Sequence, residues 1–320
     1  MKILVTGAAG FIASHLSEKL HELGHEVIGL DCFSDYYSVD LKKLNEADLL
    51  EKGIKIHKLD LAVDDLSEIV KDVDVVFHLA AQPGISASVP FEIYERNNVT
   101  ATFRLLEALR LNNPNLSLFV NIATSSVYGV FADSPEDVAP KPTSYYGVTK
   151  LSAEQLALSY FREKVFPACS CRLFSVYGPR ERPEKIYPKL IMSILEDKEF
   201  PLFDGSEKHL RSYTYVGDIV DGFIKVLENK DKVKGEIFNL GLDTAITTGE
   251  GIEIVEDILG KKAKISIRPK RPGDQTKTEA NIKKAREILG YDPKTSPREG
   301  LTKTVEWFKS KIHGKIEYIK

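Results

Sequence analysis

The sequence is poor in cysteine, and its few thiols do not form a pattern that bonds or binds metal. It has 3 cysteines among 320 residues, so they cannot all pair. Cys169 and Cys171 lie two apart in a segment with strand character, which turns both toward one side as core residues. The neighbourhood lacks the further Cys or His ligands of a metal centre, so we expect no metal. Reduced thiols are typical of the cytoplasm, where we place the protein.

Long apolar runs and a strong charge of one sign are also missing. No stretch approaches the roughly 20 apolar residues of a membrane-spanning helix, and Thr6-Gly7 interrupts the apolar start in a way that does not favour a signal peptide. The formal net charge of -3 provides no broad basic field. We therefore expect neither a membrane nor a nucleic acid as partner.

Short β-branched runs alternate with stretches of helical period through the first half of the chain. This alternation predicts an α/β fold with a doubly wound parallel sheet, the Rossmann arrangement, and helices on both faces. The predicted strands cover residues 3–5, 27–30, 54–59, 73–79, 118–122 and 168–174. The predicted buried stripes of helices are Leu16/Leu20/Leu23, Leu66/Ile69/Val70 and Phe103/Leu106/Leu109.

The alternation fails after about Ser175, where proline-containing breaks follow one another. A second, smaller C-terminal α/β lobe is predicted to begin there. Residues 235–240 have the pattern of one more core strand, so the chain is expected to return to the first domain. The predicted nucleotide-binding domain comprises residues 1–174 and about 216–248, and the predicted substrate-binding domain comprises about 175–215 and 249–320.

A glycine-rich turn follows the first predicted strand and leads into a helix. Gly7 permits the tight turn, and Gly10 lets the backbone approach a pyrophosphate at the positive helix end. Asp31 ends the second strand, where its carboxylate can accept hydrogen bonds from both adenosine ribose hydroxyls and would repel a 2'-phosphate. Residues 32–34 offer no arginine to neutralise it. NAD is therefore the expected cofactor, with Asp60-Leu61 either at the adenine edge or forming a turn.

The run from Tyr146 to Lys150 places a phenol and an ammonium four residues apart, on one face of a helix. A phenol with a pKa of about 10 is a poor base at neutral pH, so we expect the positive charges of Lys150 and of nicotinamide to lower that pKa. The hydroxyl-rich run 124–129 precedes it at the end of a central strand, where ligands of open α/β sheets bind. A hydroxyl there can hydrogen-bond the oxygen that Tyr146 deprotonates.

These segments together resemble the extended short-chain dehydrogenase/reductases, specifically the nucleotide-sugar epimerases, over essentially the whole chain. The resemblance implies that Thr124 is the catalytic hydroxyl, that Tyr146 is the acid/base, and that Lys150 also holds the nicotinamide ribose. It further implies a homodimer formed through helices near Thr100 and Tyr146. The motifs that carry it lie at residues 6–12, 78–82, 124–129, 146–150, 174–179, 211–218 and 271–274.

The resemblance also implies which side chains bind cofactor and substrate. The diphosphate is expected between Arg211 and Arg271, and uracil against the segment that contains Pro201 and Phe203. The expected cofactor-binding residues are Gly7, Gly10, Phe11, Ile12, Asp31, Asp60, Leu61, Leu79, Ala80, Ala81, Tyr146 and Lys150. The other expected substrate-binding residues are Ser125, Ser126, Ser175, Arg182 and Asp274.

The implied reaction is inversion at C4 of a UDP-sugar. Tyr146 takes the hydroxyl proton as hydride leaves C4 for NAD⁺, the keto sugar rotates about its phosphate linkage, and hydride returns to the opposite face. Sister dehydratases and decarboxylases carry an acidic residue where this chain has Ser125 and Ser126, and a serine cannot readily supply that acid/base group, so epimerisation is favoured. A non-catalytic NAD-binding regulator is the least favoured alternative, because Thr124, Tyr146 and Lys150 are all present.

The identity of the sugar is the least determined part of the prediction. Segments 35–37, 80–84 and 174–180 are most similar to UDP-glucuronate 4-epimerases, and Ser125, Ser126 and Arg182 could bind a carboxylate. Ser86, however, stands where many uronate enzymes have arginine. UDP-glucose and UDP-N-acetylglucosamine therefore stay open as alternative substrates.

Overall fold

The computed structural model describes residues 1–86, 88–270 and 277–316. Its strands are β1 (Lys2–Thr6), β2 (Glu26–Asp31), β3 (Lys55–Lys58), β4 (Val75–His78), β5 (Leu118–Thr124), β6 (Ala168–Leu173), β7 (Val176–Tyr177), β8 (Glu199–Phe203), β9 (Leu210–Arg211), β10 (Thr214–Tyr215), β11 (Ile237–Leu240), β12 (Ile246–Thr247), β13 (Lys264–Arg268) and β14 (Lys277–Thr278).

Helices cover much of the remainder. They are α1 (Phe11–Glu22), α2 (Val39–Glu51), α3 (Ser67–Val70), α4 (Phe91–Tyr94), α5 (Ala101–Asn112), α6 (Tyr145–Arg162), α7 (Ile186–Leu195), α8 (Val216–Glu228), α9 (Thr248–Leu259), α10 (Lys283–Leu289) and α11 (Pro297–Trp307). Short 3-10 helices occupy Ser125–Tyr128 and Ser206–Lys208, and π-helical turns occupy Glu95–Thr100 and Phe308–Ile312.

Seven strands form one parallel sheet in the order β11-β6-β5-β4-β1-β2-β3. The order reverses between β1 and β4, which is the point where doubly wound sheets bind nucleotides beyond the carboxyl ends of their strands. This sheet confirms the predicted α/β Rossmann fold class. Each strand predicted from the sequence is present within one or two residues at either end, and β11 lies in the segment predicted to return to the sheet.

Apolar side chains cover both faces of this sheet, because successive residues of a strand point to opposite sides. Ile3 and Val5 pack on the face covered by α1, α8 and α10, whereas Leu4 packs on the face covered by α3, α5 and α6. Cys169 and Cys171 belong to the first of these cores, as their spacing predicts. A sheet buried on both sides is rigid, and it fixes the loops at its edge.

Three small sheets build the second lobe: β12-β9-β14, β13-β8 and β10-β7. Its core contains apolar side chains of α7, α9 and α11, and it also takes in Leu41 of α2 from the first lobe. The two lobes therefore share packing near the start of α2. The exact domain boundaries predicted from the sequence stay a prediction.

Two residues of the predicted helix stripes are exposed. Leu23 is 48% exposed because it follows the last residue of α1, and Phe103 is 47% exposed because the buried stripe of α5 runs through Thr102, Leu105, Leu106 and Leu109 instead. Among the described residues, no helix has the length and apolar character that crossing a bilayer requires.

Candidate active site

The turn between β1 and α1 has the shape of a phosphate cradle. Gly7 has a φ of +72°, and a Cβ atom there would lie 3.0 Å from the backbone of Ala80. A Cβ atom at Gly10 would lie 2.9 Å from the Gly7 carbonyl oxygen. In the described chain no side chain caps the N-terminus of α1, and its first turn, which begins Phe11-Ile12, carries no acidic residue. Its backbone N–H groups and positive dipole end suit a pyrophosphate, so these residues fit NAD.

Asp31 ends β2 with a buried carboxylate next to this turn. Its Oδ2 accepts the N–H of Ala9 at 3.2 Å, and its Oδ1 accepts the N–H of Phe33 at 2.7 Å. Lys42 of α2 lies 3.9 Å from Oδ1 and donates to Ser34 Oγ at 3.0 Å. Lys42 is only 5% exposed and lies outside residues 32–34, where the sequence predicts no cation, so its approach to Asp31 is visible only in the fold.

Asp60 uses its carboxylate for the turn that follows β3. Oδ1 accepts the N–H of Ala62 at 2.9 Å, and Oδ2 accepts a bond from Arg96 at 2.6 Å. These bonds hold the pKa of Asp60 below its usual value, although burial opposes them. The turn-forming alternative of the sequence analysis is therefore present, and adenine contact by Asp60 and the buried Leu61 stays a prediction.

A buried histidine holds the Leu79–Ala81 loop against the glycine turn. Burial lowers the pKa of His78 to about 3, so its ring is neutral. Thr102 Oγ1 donates to the carbonyl of Asn98 at 2.6 Å, so it accepts from His78 Nε2, 2.9 Å away. His78 Nδ1 then accepts from Thr6 Oγ1 at 2.8 Å, and Thr6 Oγ1 accepts the N–H of Ala80 at 3.1 Å.

Asn98 is a structural link that sequence reasoning missed. It is 1% exposed within a π-helical turn, a feature that often marks functional sites. Its Oδ1 accepts the N–H of Gln82 at 2.7 Å, and its Nδ2 donates to Thr149 at 3.0 Å. It thus ties the loop after β4 to α6, one residue before Lys150. The sequence carries no signal for this role, because Asn98 reaches both partners through tertiary packing.

Thr124, Ser125 and Ser126 lie at the carboxyl end of β5, where a 3-10 helix begins. Thr124 Oγ1 accepts the N–H of Ser126 at 3.2 Å and so caps that helix. Ser144 caps α6 in the same way by accepting the N–H of Gly147 at 3.1 Å. Because Gly147 has no side chain, α6 packs directly on the backbone of Ser126. The first turn of α6, with Tyr146, therefore faces Thr124.

Tyr146 is half-buried and hydrogen-bonded to Thr124. Burial raises its pKa, and this outweighs the lowering caused by the Thr124 hydrogen bond and by the positive charge of Arg182. From the sequence we expect Lys150 and nicotinamide to lower this pKa, whereas among the described residues the cation that lowers it is Arg182. The residues of the chain alone therefore do not lower the pKa of Tyr146, and a nicotinamide cation bound beside the phenol would supply further lowering.

Lys150 is 3% exposed, and the pKa of its ammonium group departs from the usual value. Burial lowers its pKa to about 8, against the opposing effect of Glu154 one turn further along α6. Glu154 is held by Arg172 in a fully buried pair with bonds of 2.6 and 3.0 Å. Loss of this proton near pH 8 would remove the positive charge of Lys150 from its surroundings.

Arg182 is close enough to Tyr146 for its charge to act on the phenol. Its side chain is 12% exposed and packs with its guanidinium 5.8 Å from the ring centroid of Tyr36. Gly84 makes room for it: a Cβ there would lie 3.2 Å from Nη2. The charge of Arg182 lowers the pKa of both Tyr146 and Tyr94, whose rings lie 6.3 Å apart. The Arg182 cation, the Thr124 hydroxyl and three phenols therefore lie close together here, the phenols being those of Tyr36, Tyr94 and Tyr146.

The remaining predicted substrate residues lie in or beside the second lobe. Ser175 is half-buried between β6 and β7, and its carbonyl accepts the N–H of Thr214 at 2.8 Å. Pro201 and Phe203 lie on β8, paired with β13, and Arg211 lies on β9 between β12 and β14. Arg271 and Asp274 lie outside the described residues.

Comparison with known proteins places this site among enzymes. The family model described as the NAD dependent epimerase/dehydratase family matches residues 3–241. The uncharacterized UDP-glucose epimerase YtcB of Bacillus subtilis is 40% identical over 98% of this chain and 100% of its own length. UDP-glucuronate 4-epimerase 2 of Arabidopsis thaliana is 34% identical over 96% of this chain and 76% of its own.

A solved structure is similar over nearly all of both chains. The UDP-glucuronic acid 4-epimerase from Bacillus cereus, in complex with UDP-glucuronic acid and NAD, superposes with a TM-score of 0.91 at 39% identity, covering 97% of this chain and 99% of that one. The resemblance inferred from the motifs and the expectation of NAD are thereby confirmed. This chain belongs to the NAD dependent epimerase/dehydratase family.

Proposed function

We propose that the protein interconverts UDP-glucuronate and its C4 epimer, using NAD that is regenerated in each cycle. The observation that carries this proposal is the position of Arg182, a nearly buried cation whose charge reaches Tyr146. A uronate carboxylate and the C4 hydroxyl belong to the same pyranose ring. The site therefore has to offer a cation to the carboxylate and an acid/base to the C4 hydroxyl, a short distance apart. Planar guanidinium groups bind carboxylates well.

NAD bound at the glycine turn supplies the hydride acceptor and donor for C4. Tyr146 accepts the proton of the C4 hydroxyl and later returns it, and Thr124 hydrogen-bonds the same oxygen and orients the phenol. Lys150 supplies positive charge, which its own loss of a proton near pH 8 would remove. General acid/base catalysis of this kind contributes about 10²- to 10⁴-fold in rate.

The choice of epimerisation over elimination is supported by Ser125 and Ser126. Both follow Thr124 in the 3-10 helix at the end of β5, where a dehydratase or decarboxylase needs an acidic side chain. Their hydroxyls can instead donate hydrogen bonds to the uronate carboxylate together with Arg182. At the other end of the substrate, Arg211, Pro201 and Phe203 are proposed to bind the UDP moiety.

Product analysis tests this function. The purified protein is incubated separately with UDP-glucuronate, UDP-glucose and UDP-N-acetylglucosamine, and the products are followed by NMR and mass spectrometry. We expect UDP-glucuronate to give its C4 epimer with unchanged mass. Loss of carbon dioxide or water would establish the sister reactions, and preferential turnover of a neutral sugar would contradict the assigned substrate.

Arg182→Leu provides the corresponding variant. Since removing one partner of a desolvated charge pair costs about 2–5 kcal/mol, its KM for UDP-glucuronate should rise at least about 30-fold. The KM for UDP-glucose should change little. An equal rise in KM for both sugars would show that Arg182 does not bind the carboxylate.

A homodimer in the cytoplasm is the proposed state of the enzyme. Exposed apolar side chains gather on α4, α5 and the start of α6, and the rings of Phe91 and Tyr145 form an edge-to-face pair with centroids 5.3 Å apart. The apolar residues exposed there are Phe91, Ile93, Phe103, Tyr145 and Val148. A Phe103→Glu variant that stays dimeric in analytical ultracentrifugation would contradict this interface. The free thiols of Cys32, Cys169 and Cys171 support a reducing compartment.

A further inference from the structure

Arg182 already has an ionic partner within the protein. Glu184, two residues further along the same loop, places Oε1 2.8 Å from Arg182 Nη1. The glutamate side chain is 45% exposed, whereas that of the arginine is 12% exposed. The pair thus joins a cation fixed in the site to an anion at its solvent edge.

The contact is short, but it is not a good hydrogen bond. Nη1 of Arg182 is buried, and among the described residues it has no hydrogen-bond acceptor in acceptable geometry. Glu184 therefore balances the charge of the Arg182 guanidinium but does not accept a well-aligned hydrogen bond from its Nη1. A ligand carboxylate that lies in the guanidinium plane would gain that hydrogen bond.

The other acidic neighbour of Arg182 does not take this role. Glu181 is 5% exposed, and burial raises its pKa to about 8, although Lys185 and Arg182 act against that rise. Because Glu181 is enclosed in the protein, it cannot turn into water as the half-exposed Glu184 can. Among the described residues, Glu184 is the acidic neighbour of Arg182 that reaches solvent, so it can leave the pair at small cost.

We propose that Glu184 is a placeholder for the substrate carboxylate, and that its competition for Arg182 sets how strongly the site prefers an acidic sugar over a neutral one. This inference rests on the proposed function. A uronate has to displace Glu184 into water before it pairs with Arg182, because two carboxylates on one guanidinium repel each other. A neutral sugar leaves the Arg182–Glu184 pair intact.

Ligand binding to the NAD-loaded enzyme tests the placeholder role. Measurements use a Tyr146→Phe background, so that chemistry does not disturb the titration, with UDP-glucuronate and UDP-glucose as calorimetric ligands. Glu184→Gln should tighten UDP-glucuronate binding roughly two- to fivefold, the range set by a half-exposed ion pair, and leave UDP-glucose unchanged. The control is Glu196→Gln, which removes an equivalent charge paired with Lys198 at 2.6 Å beyond the end of α7 and should change neither affinity.

A double-mutant cycle separates competition from a structural role. In an Arg182→Leu background, Glu184→Gln should no longer affect UDP-glucuronate binding. Weaker or unchanged UDP-glucuronate binding by Glu184→Gln with Arg182 present would overturn the inference, because it would make Glu184 an orienting residue or an inert one. Failure of the proposed function is seen separately, as absence of UDP-glucuronate turnover by the protein with Tyr146 intact.

Discussion

Gly147 lies so close to Ser126 that a Cβ atom on it would come within 2.7 Å of the Ser126 carbonyl oxygen. The clash would involve backbone, so it could be relieved only by moving α6 or the 3-10 helix that follows β5. These two elements carry Tyr146 and Thr124. The glycine that follows Tyr146 is therefore what allows the phenol and the hydroxyl to meet.

Gly147→Ala should separate these two groups. We expect kcat to fall about 10- to 100-fold, because a displacement of about 1 Å in a catalytic geometry can cost that much. NAD binding should persist, since the glycine turn after β1 is untouched. Ser152→Ala on the same helix is the matched control for steady-state kinetics. Wild-type kcat in Gly147→Ala would show that the close packing has no catalytic consequence.

Asp31 and Lys42 together are expected to determine cofactor choice. Asp31→Ser removes the carboxylate that we expect to pair with the ribose hydroxyls, and it leaves Lys42 available to a 2'-phosphate. We expect NAD affinity to fall about tenfold or more, as for a lost charged hydrogen bond, and NADP affinity to rise. Fluorescence titration with both cofactors measures the change. Adding Lys42→Met should abolish the gain for NADP; a gain that survives this second substitution would remove Lys42 from the account.

The buried pair of Arg172 and Glu154 supports the site from behind Lys150. Arg172→Met leaves Glu154 buried without its partner, which should lower the free energy of unfolding by about 3–5 kcal/mol in urea titrations. The control is Arg110→Met, which breaks an exposed pair with Glu107 and should change the unfolding midpoint little. Equal losses in the two variants would contradict the importance assigned to burial.

Acid should destabilise the fold through two histidines. Burial lowers the folded-state pKa of His15 to about 4 and that of His78 to about 3, from 6.5. Below pH 6.5 these histidines bind protons in the unfolded chain but not in the folded chain. The free energy of unfolding therefore falls as the pH decreases toward the two folded-state pKa values. Each histidine contributes a slope approaching about 1.4 kcal/mol per pH unit. Urea titrations between about pH 6 and pH 5 measure it, and His78→Gln should reduce the slope; an unchanged slope would contradict the neutral, buried state of His78.

The sequence sufficed for the sheet and for the residues that lie next to each other along the chain. Period-two apolar runs predict the strands because burial on both faces requires them, and Tyr146 and Lys150 share a helix face by spacing alone. Lys42 and Asn98 were missed because each reaches its partner through tertiary packing, from helices whose sequence has no nucleotide-binding motif. The pKa of Tyr146 depends on burial and on Arg182, neither of which spacing reveals. Leu23 and Phe103 were wrongly predicted to be buried. Helix α1 ends one residue before Leu23, and the buried stripe of α5 passes through Thr102 rather than Phe103.

The most direct test of the account compares Tyr146→Phe with the unaltered enzyme on UDP-glucuronate. Turnover to the C4 epimer is followed by NMR, and bound NAD is quantified in both proteins. We expect the variant to fold and retain NAD while its kcat falls about 10³-fold, because only the proton acceptor is lost. Unchanged turnover in a variant with full NAD content would contradict the role of Tyr146 and with it the proposed mechanism.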